Sequence, residues 1–115
     1  MKISIADAGS TATVVLDGKL DIAGADAVAS PLAKLADEKL GLIVDLSRVS
    51  FLASVGIRHL VAAAKTLTRR GGRLVLLKPN DMVEDVLITV GMNSLIPIDR
   101  SEREAQAVLA AALEG

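Results

Sequence analysis

The sequence predicts an α/β domain built on a mixed, mostly parallel β-sheet, with an N-terminal hairpin and about four helices. Short apolar runs typical of buried strands alternate with longer segments in which apolar residues recur at helical spacing. A brief turn joins the first two strand segments, which favours an antiparallel pair, whereas helices separate the later strands, which favours parallel pairing. The 115 residues suffice for one core, so we expect residues 1–115 to form a single domain in the order β β α β α β α β α.

The chain is expected to begin with a β-hairpin. Apolar and polar residues alternate over residues 2–5, and a β-branched run at residues 11–16 follows the turn at Gly9. Asp17-Gly18 is a turn-forming pair, so we expect the second strand to stop there.

An amphipathic helix is expected next, beginning between residues 21 and 24 and ending before Gly41. Pro31 lies inside the apolar pattern and is expected to kink or break the helix, because proline lacks the backbone N–H that the helix needs. Residues 42–44 then form an apolar run typical of a buried strand, and we expect the central strand over residues 42–46.

The second half of the chain is expected to hold three more helices and two more strands. A turn is expected to place Ser54 at the N-cap of a helix that ends at about Arg70, before Gly71-Gly72. The other expected elements are a strand at 73–77, a helix that opens at residues 79–81 and closes at Gly91, an edge strand at 95–98 limited by Pro97, and a final helix after a capping box at 101–104.

Composition excludes several classes of protein. Thirteen Lys and Arg face fourteen Asp and Glu, and the only aromatic residue is Phe51, so nucleic-acid binding is not expected. The chain has no cysteine, which removes disulfides and thiolate metal sites. The N-terminus lacks the apolar core of a signal peptide, and no apolar run is long enough to insert into a membrane. We therefore expect a cytoplasmic protein.

The residues also argue against an enzyme. Residues 52–56, LASVG, resemble the nucleophile-elbow pattern G-x-S-x-G, but Leu52 stands where the first glycine is needed. The single histidine, His59, lies on the same expected helix as Ser54, where it is badly placed to act as its base and is expected to be exposed. No acidic or histidine cluster has metal-ligand spacing. We expect no catalytic residue, no metal and no cofactor.

Residues 45–57, DLSRVSFLASVGI, resemble the signature of STAS domains, the fold of bacterial anti-sigma-factor antagonists. Residues 16–21, LDGKLD, are similar to the family's Leu-x-Gly-Glu-Leu-Asp. The resemblance continues along the chain at Gly71, Gly72, Pro79, Val83, Leu87, Gly91 and Ile98. Two positions depart from the family pattern, because Ala53 replaces an aspartate and Val55 replaces a second hydroxyl residue.

The resemblance implies that Ser54 is phosphorylated by a partner anti-sigma factor that is also a serine kinase. In that family the unphosphorylated antagonist binds the kinase and frees a sigma factor, and a phosphatase restores the phosphorylated form. The partner-binding residues are then expected at two places, the turn before the first long helix and the start of the second: Asp17, Gly18, Lys19, Asp21, Ala53, Ser54, Val55, Gly56 and Arg58.

Two alternatives keep the same fold and stay open. STAS proteins also serve as accessory subunits of lipid-transport ABC systems, or as scaffold subunits of stress-sensing assemblies. In either role Ser54 would cap a helix without being phosphorylated. A weak homodimer is a further open alternative.

Overall fold

The computed structural model describes residues 1–114, and its centre is a five-stranded sheet in which the strand order follows the chain order. The first two strands pair antiparallel, and every later neighbour pairs parallel. The predicted mixed, mostly parallel sheet with its N-terminal hairpin is therefore confirmed. The strands are β1 (Lys2–Ala8), β2 (Thr11–Leu20), β3 (Gly41–Leu52), β4 (Arg73–Leu77) and β5 (Ile98–Asp99).

Helices cover both faces of the sheet. They are α1 (Ile22–Glu38), α2 (Ser54–Arg69), α3 (Asp81–Thr89) and α4 (Glu102–Glu114), with a short 3₁₀ turn at Met92–Ser94. Alternate residues of a strand point to opposite faces. On β3, Leu42 and Val44 accordingly join the larger core with α1, α2 and α3, while Ile43 joins a smaller core with Ala105 and Leu109 of α4.

Side chains define where the helices begin and how they end. The Asp21 carboxylate accepts a hydrogen bond from the Gly24 N–H at 2.9 Å and caps α1. Asn80 caps α3 in the same way through the Val83 N–H at 2.8 Å. At the other end of α1, the Arg70 guanidinium donates to backbone carbonyl oxygens left free by the last turn, including that of Lys39 at 2.7 Å.

Two strands are longer than predicted. β2 continues through Asp17-Gly18 to Leu20, because two register shifts against β3 absorb the turn-forming pair without ending the ladder. Gly18 adopts φ +131°, a backbone conformation that glycine tolerates inside such a strand. β3 likewise continues to Leu52, so the turn expected before α2 shrinks to Ala53.

Two further predictions were wrong in detail. α1 runs unbroken through Pro31, since Val28 and Leu32 on either side are buried in the core and hold the helix together. The last strand is limited to Ile98–Asp99 instead of residues 95–98, because the 3₁₀ turn closes onto Ile96, which is buried in the larger core.

Candidate functional site

The predicted site residues lie at the end of the sheet where β2, β3 and β4 finish. Because these strands are parallel, their carboxyl ends share one edge, and the helices that follow them begin there. We call this region the carboxyl-end surface and define it by residues 17–22, 51–58 and 80–82. Helix starts gathered in this way present backbone N–H groups and exposed first-turn side chains to one direction.

Direct contacts hold the two predicted segments side by side. The Ala53 N–H donates to the Leu20 carbonyl oxygen at 2.9 Å, and Lys19 is the ladder partner of Phe51. The third segment is attached through Asn80, whose side-chain amide donates to the Val49 carbonyl oxygen at 2.9 Å. The structure therefore brings together the two places that the sequence singled out and adds the start of α3.

Close packing at this surface depends on two buried glycines. A Cβ atom on Gly56 would lie 3.2 Å from the Leu20 Cβ and 3.2 Å from the Leu52 Cδ1, which is tighter than an ordinary contact. A Cβ atom on Gly24 would overlap the Lys19 carbonyl oxygen. Glycine at these positions lets α1 and α2 start directly against the end of β2.

Ser54 is the first residue of α2 and not its N-cap, which corrects the prediction from sequence. The N-cap is Ala53, with extended backbone angles and no side-chain hydrogen bond to the helix. The Gly56 and Ile57 N–H groups both donate to the Ala53 carbonyl oxygen, at 3.0 and 3.2 Å. Among the described residues, the Ser54 and Val55 N–H groups have no acceptor. Ser54 is exposed and starts a helix that no side chain caps.

The carboxyl-end surface carries charges of both signs, with Asp17, Asp21 and Asp81 against Lys19 and Arg58. Lys19 and Arg58 are both exposed, and within residues 1–114 neither belongs to an ion pair. Asp17 is held 3.7 Å from Arg48. The first turn of α2 has no acidic residue. The start of α2, which has no side-chain cap and no acidic residue in its first turn, therefore favours an added negative charge.

The sequence missed three exposed apolar side chains at the same surface. Phe51 is 48% exposed, Ile22 is 77% exposed and Met82 is 56% exposed. Exposed apolar residues that cluster mark contact sites more often than isolated ones do. A signal was present for Phe51, because it is the one aromatic residue of a chain whose core packs without aromatic side chains.

His59 is half-buried rather than exposed, which corrects a second prediction. It lies in a small cleft between α1 and α2 beside Ala29 and Ala33. Within residues 1–114 no group of His, Cys, Asp and Glu side chains could hold a metal ion. None of the described helices is long and apolar enough to cross a bilayer.

The fold and the carboxyl-end surface define a small α/β domain with an exposed serine at the first position of α2. A model of the STAS domain family matches residues 2–105. The chain belongs to this family, as the sequence signature indicated.

Relatives of the chain are named as anti-sigma factor antagonists. BtrV of Bordetella bronchiseptica, which carries that name, is 28% identical over 114 residues covering 98% of each chain. RsfB of Mycobacterium tuberculosis, named an anti-sigma-F factor antagonist, is 32% identical over 66 residues, which span 56% of this chain and 54% of RsfB.

The fold is also that of a solved antagonist. The anti-sigma factor antagonist SpoIIAA in its unphosphorylated form superposes with a TM-score of 0.82 at 21% identity, covering 96% of this chain and 97% of SpoIIAA. The phosphorylated form of the Bacillus protein SpoIIAA superposes with a TM-score of 0.72 at 21% identity, covering 93% of this chain and 98% of that one. The shared architecture extends over nearly the whole length of both chains.

Proposed function

We propose that this protein is an anti-sigma-factor antagonist that binds an anti-sigma-factor serine kinase through the carboxyl-end surface. Binding releases a sigma factor, phosphorylation of Ser54 by the kinase ends the binding, and a phosphatase restores it. The chain is the substrate of the kinase and not itself an enzyme. The observation that carries the proposal is the exposed Ser54 at an uncapped helix start, flanked by exposed apolar and basic side chains.

The surroundings of Ser54 support a phosphate that leaves the fold intact. A phosphoserine carries a charge of roughly −1.5 to −2 at neutral pH and three acceptor oxygens. The unsatisfied Ser54 and Val55 N–H groups and the dipole of α2 are suited to such an anion. Because Ala53 has no carboxylate, the phosphate would meet no like charge at the N-cap position.

The same charge would weaken the binding of a partner protein at this surface. Phe51 and Ile22 are the apolar side chains that a docked protein would cover, and Ser54 lies in the same surface. A phosphate there would have to lose its water while facing apolar groups, which is unfavourable unless cations of the partner compensate. Phosphorylation therefore changes the surface and not the fold.

Mass spectrometry of the protein purified from its native cells, growing and stressed, tests the modification. We expect one phosphate, mapped to a peptide containing Ser54, whose occupancy changes with the condition. Ser50, which is also exposed and lies four residues earlier on β3, is the internal control for nonspecific modification. No phosphate in any condition would contradict the switch and favour a scaffold or transport-accessory role.

Binding measurements with the cognate anti-sigma factor test the rest of the proposal. Ser54→Ala should bind with unchanged affinity and accept no phosphate, while Ser54→Asp should bind at least about tenfold more weakly. Ser50→Ala, the matched control, should behave like the unmodified protein in both assays. Equal affinity of Ser54→Asp and Ser54→Ala would show that this position does not control binding.

A further inference from the structure

A second surface feature lies on α2, away from the carboxyl-end surface. It is a cavity of about 410 Å³ between the outer side of α2 and the segment after the 3₁₀ turn, and we call it the α2 groove. Small-molecule sites in proteins typically measure roughly 300–1,000 Å³. The residues that matter for its chemistry are Val61, Ala64, Lys65, Arg69, Leu95 and Ile96.

The groove exists because α2 has more apolar surface than its neighbours cover. Leu60 and Leu67 are fully buried in the larger core. Val61 and Ala64 form an adjacent stripe that is only half-buried. α3 ends at Thr89 and the chain turns away at Gly91, so this stripe stays open to solvent.

The remaining apolar walls come from the segment that follows the 3₁₀ turn. Ile96 is buried and closes the floor. Leu95 is 67% exposed and lines the cavity. A ligand with an alkyl chain would cover Leu95 and the half-buried stripe of α2 together.

Charge at the rim is of one sign. Lys65 and Arg69 are four residues apart, so they lie on the same side of the helix. Both are exposed, and in the described part of the chain neither makes an ion pair. Arg69 has only a 3.4 Å contact with the Thr66 hydroxyl. Among residues 1–114, no carboxylate side chain lines the groove.

We propose that the α2 groove binds a single-chain amphiphile that ends in a carboxylate, with the alkyl chain along Val61, Ala64 and Leu95 and the carboxylate between Lys65 and Arg69. A guanidinium is well suited to a carboxylate because it can donate two parallel hydrogen bonds. Val61 lies seven residues after Ser54, about 10 Å along the helix, so the groove is separate from the carboxyl-end surface. This proposal does not depend on the proposed function.

Displacement of a fluorescent fatty acid, dansyl-undecanoate, by decanoate tests the proposal. The chain has no tryptophan or tyrosine, so the signal of the probe is free of protein emission. We expect decanoate to displace the probe saturably and decyltrimethylammonium to fail, because its cationic head meets Lys65 and Arg69. The double variant Lys65→Gln/Arg69→Gln should bind decanoate about fivefold more weakly while its affinity for decanol stays unchanged.

Variants of the apolar wall distinguish decanoate binding in the groove from nonspecific binding elsewhere on the protein. Ala64→Phe should fill the cavity and abolish displacement by decanoate, with its folding checked by circular dichroism. Lys34→Gln and Ile22→Ser remove an exposed cation and an exposed isoleucine elsewhere, and they should bind decanoate normally. Should Ala64→Phe fail to fold, Leu95→Ser gives the same test at an exposed position.

Three outcomes would overturn the proposal. If decanoate binds the double variant as tightly as the original protein, Lys65 and Arg69 do not bind its carboxylate. Self-association of the protein that Ala64→Phe abolishes, without any decanoate binding, would assign the groove to a second copy of the chain. Binding to phosphatidylglycerol vesicles but not to decanoate would assign it to a membrane surface.

Discussion

A methyl group added at Gly24 is expected to destabilise the domain at the carboxyl-end surface. Gly24 is buried in the first turn of α1 and faces the end of β2. The added Cβ atom would overlap the Lys19 carbonyl oxygen and lie 3.0 Å from the Lys19 carbonyl carbon. Because these atoms belong to the backbone of a paired strand, they cannot rotate away, and α1 has to move instead.

The magnitude follows from two opposed effects. Overpacking of this kind costs up to about 3 kcal/mol. Alanine is the better helix former and stabilises the helix by about 1 kcal/mol relative to glycine. Gly24→Ala should therefore lower the free energy of unfolding by about 2 kcal/mol, which corresponds to a fall in Tm of about 8 °C for a domain of this size.

Urea unfolding followed by far-ultraviolet circular dichroism measures this change, since the chain has no tryptophan to report by fluorescence. Ala27→Gly is the matched control, because Ala27 is an exposed position of the same helix and reports the propensity difference alone. It should cost about 1 kcal/mol. If the Gly24→Ala variant is as stable as the original protein or more stable, the argument that the contact with Lys19 requires glycine is refuted.

Two other changes have expected outcomes. Arg70→Met removes the donors to the Lys39 and Ala36 carbonyl oxygens at the end of α1 and should cost about 1–2 kcal/mol in urea unfolding, whereas Arg69→Met should cost little. Burial, and to a lesser extent the charge of Glu104, raises the pKa of Asp99 above its ordinary value of 3.8. The folded state therefore holds this proton more tightly than the unfolded state does. As the pH rises from 3.8 through the raised pKa, Asp99 lowers the free energy of unfolding. Asp99→Asn should be more stable than the original protein at pH 7, a difference that should disappear below pH 3.8; an equal difference at both pH values would show that titration is not its cause.

The sequence was sufficient for the elements whose signals are local. Residues 73–77 were predicted as a strand and form β4. A short apolar run bounded by Gly72 and Pro79 is too short for a buried helix and is typical of a buried strand. The Asn80 and Gly91 signals also correctly placed the ends of α3. Each of these signals depends on backbone preferences of a few neighbouring residues, which do not need knowledge of the fold.

The errors occur where a partner strand decides the conformation. Asp17-Gly18 favours a turn in isolation, but the ladder with β3 carries β2 past it through two register shifts. The end of β3 alternates irregularly between exposed and buried residues, so no period of two marked it as a strand. The exposure of Ile22 and Met82 beside the end of β3 was not predictable, because the two residues begin separate helices that meet this edge of the sheet only in the folded chain.

The position of α4 also has a consequence for biosynthesis. Ile43, Val75 and Leu77 on the second face of the sheet are buried by Ala105 and Leu109, residues that leave the ribosome after every strand has been made. A nascent chain that has already paired β1 to β5 therefore still exposes an apolar sheet face until the last helix docks. A chain that stopped before Glu102 would keep that face open permanently and would be prone to aggregate.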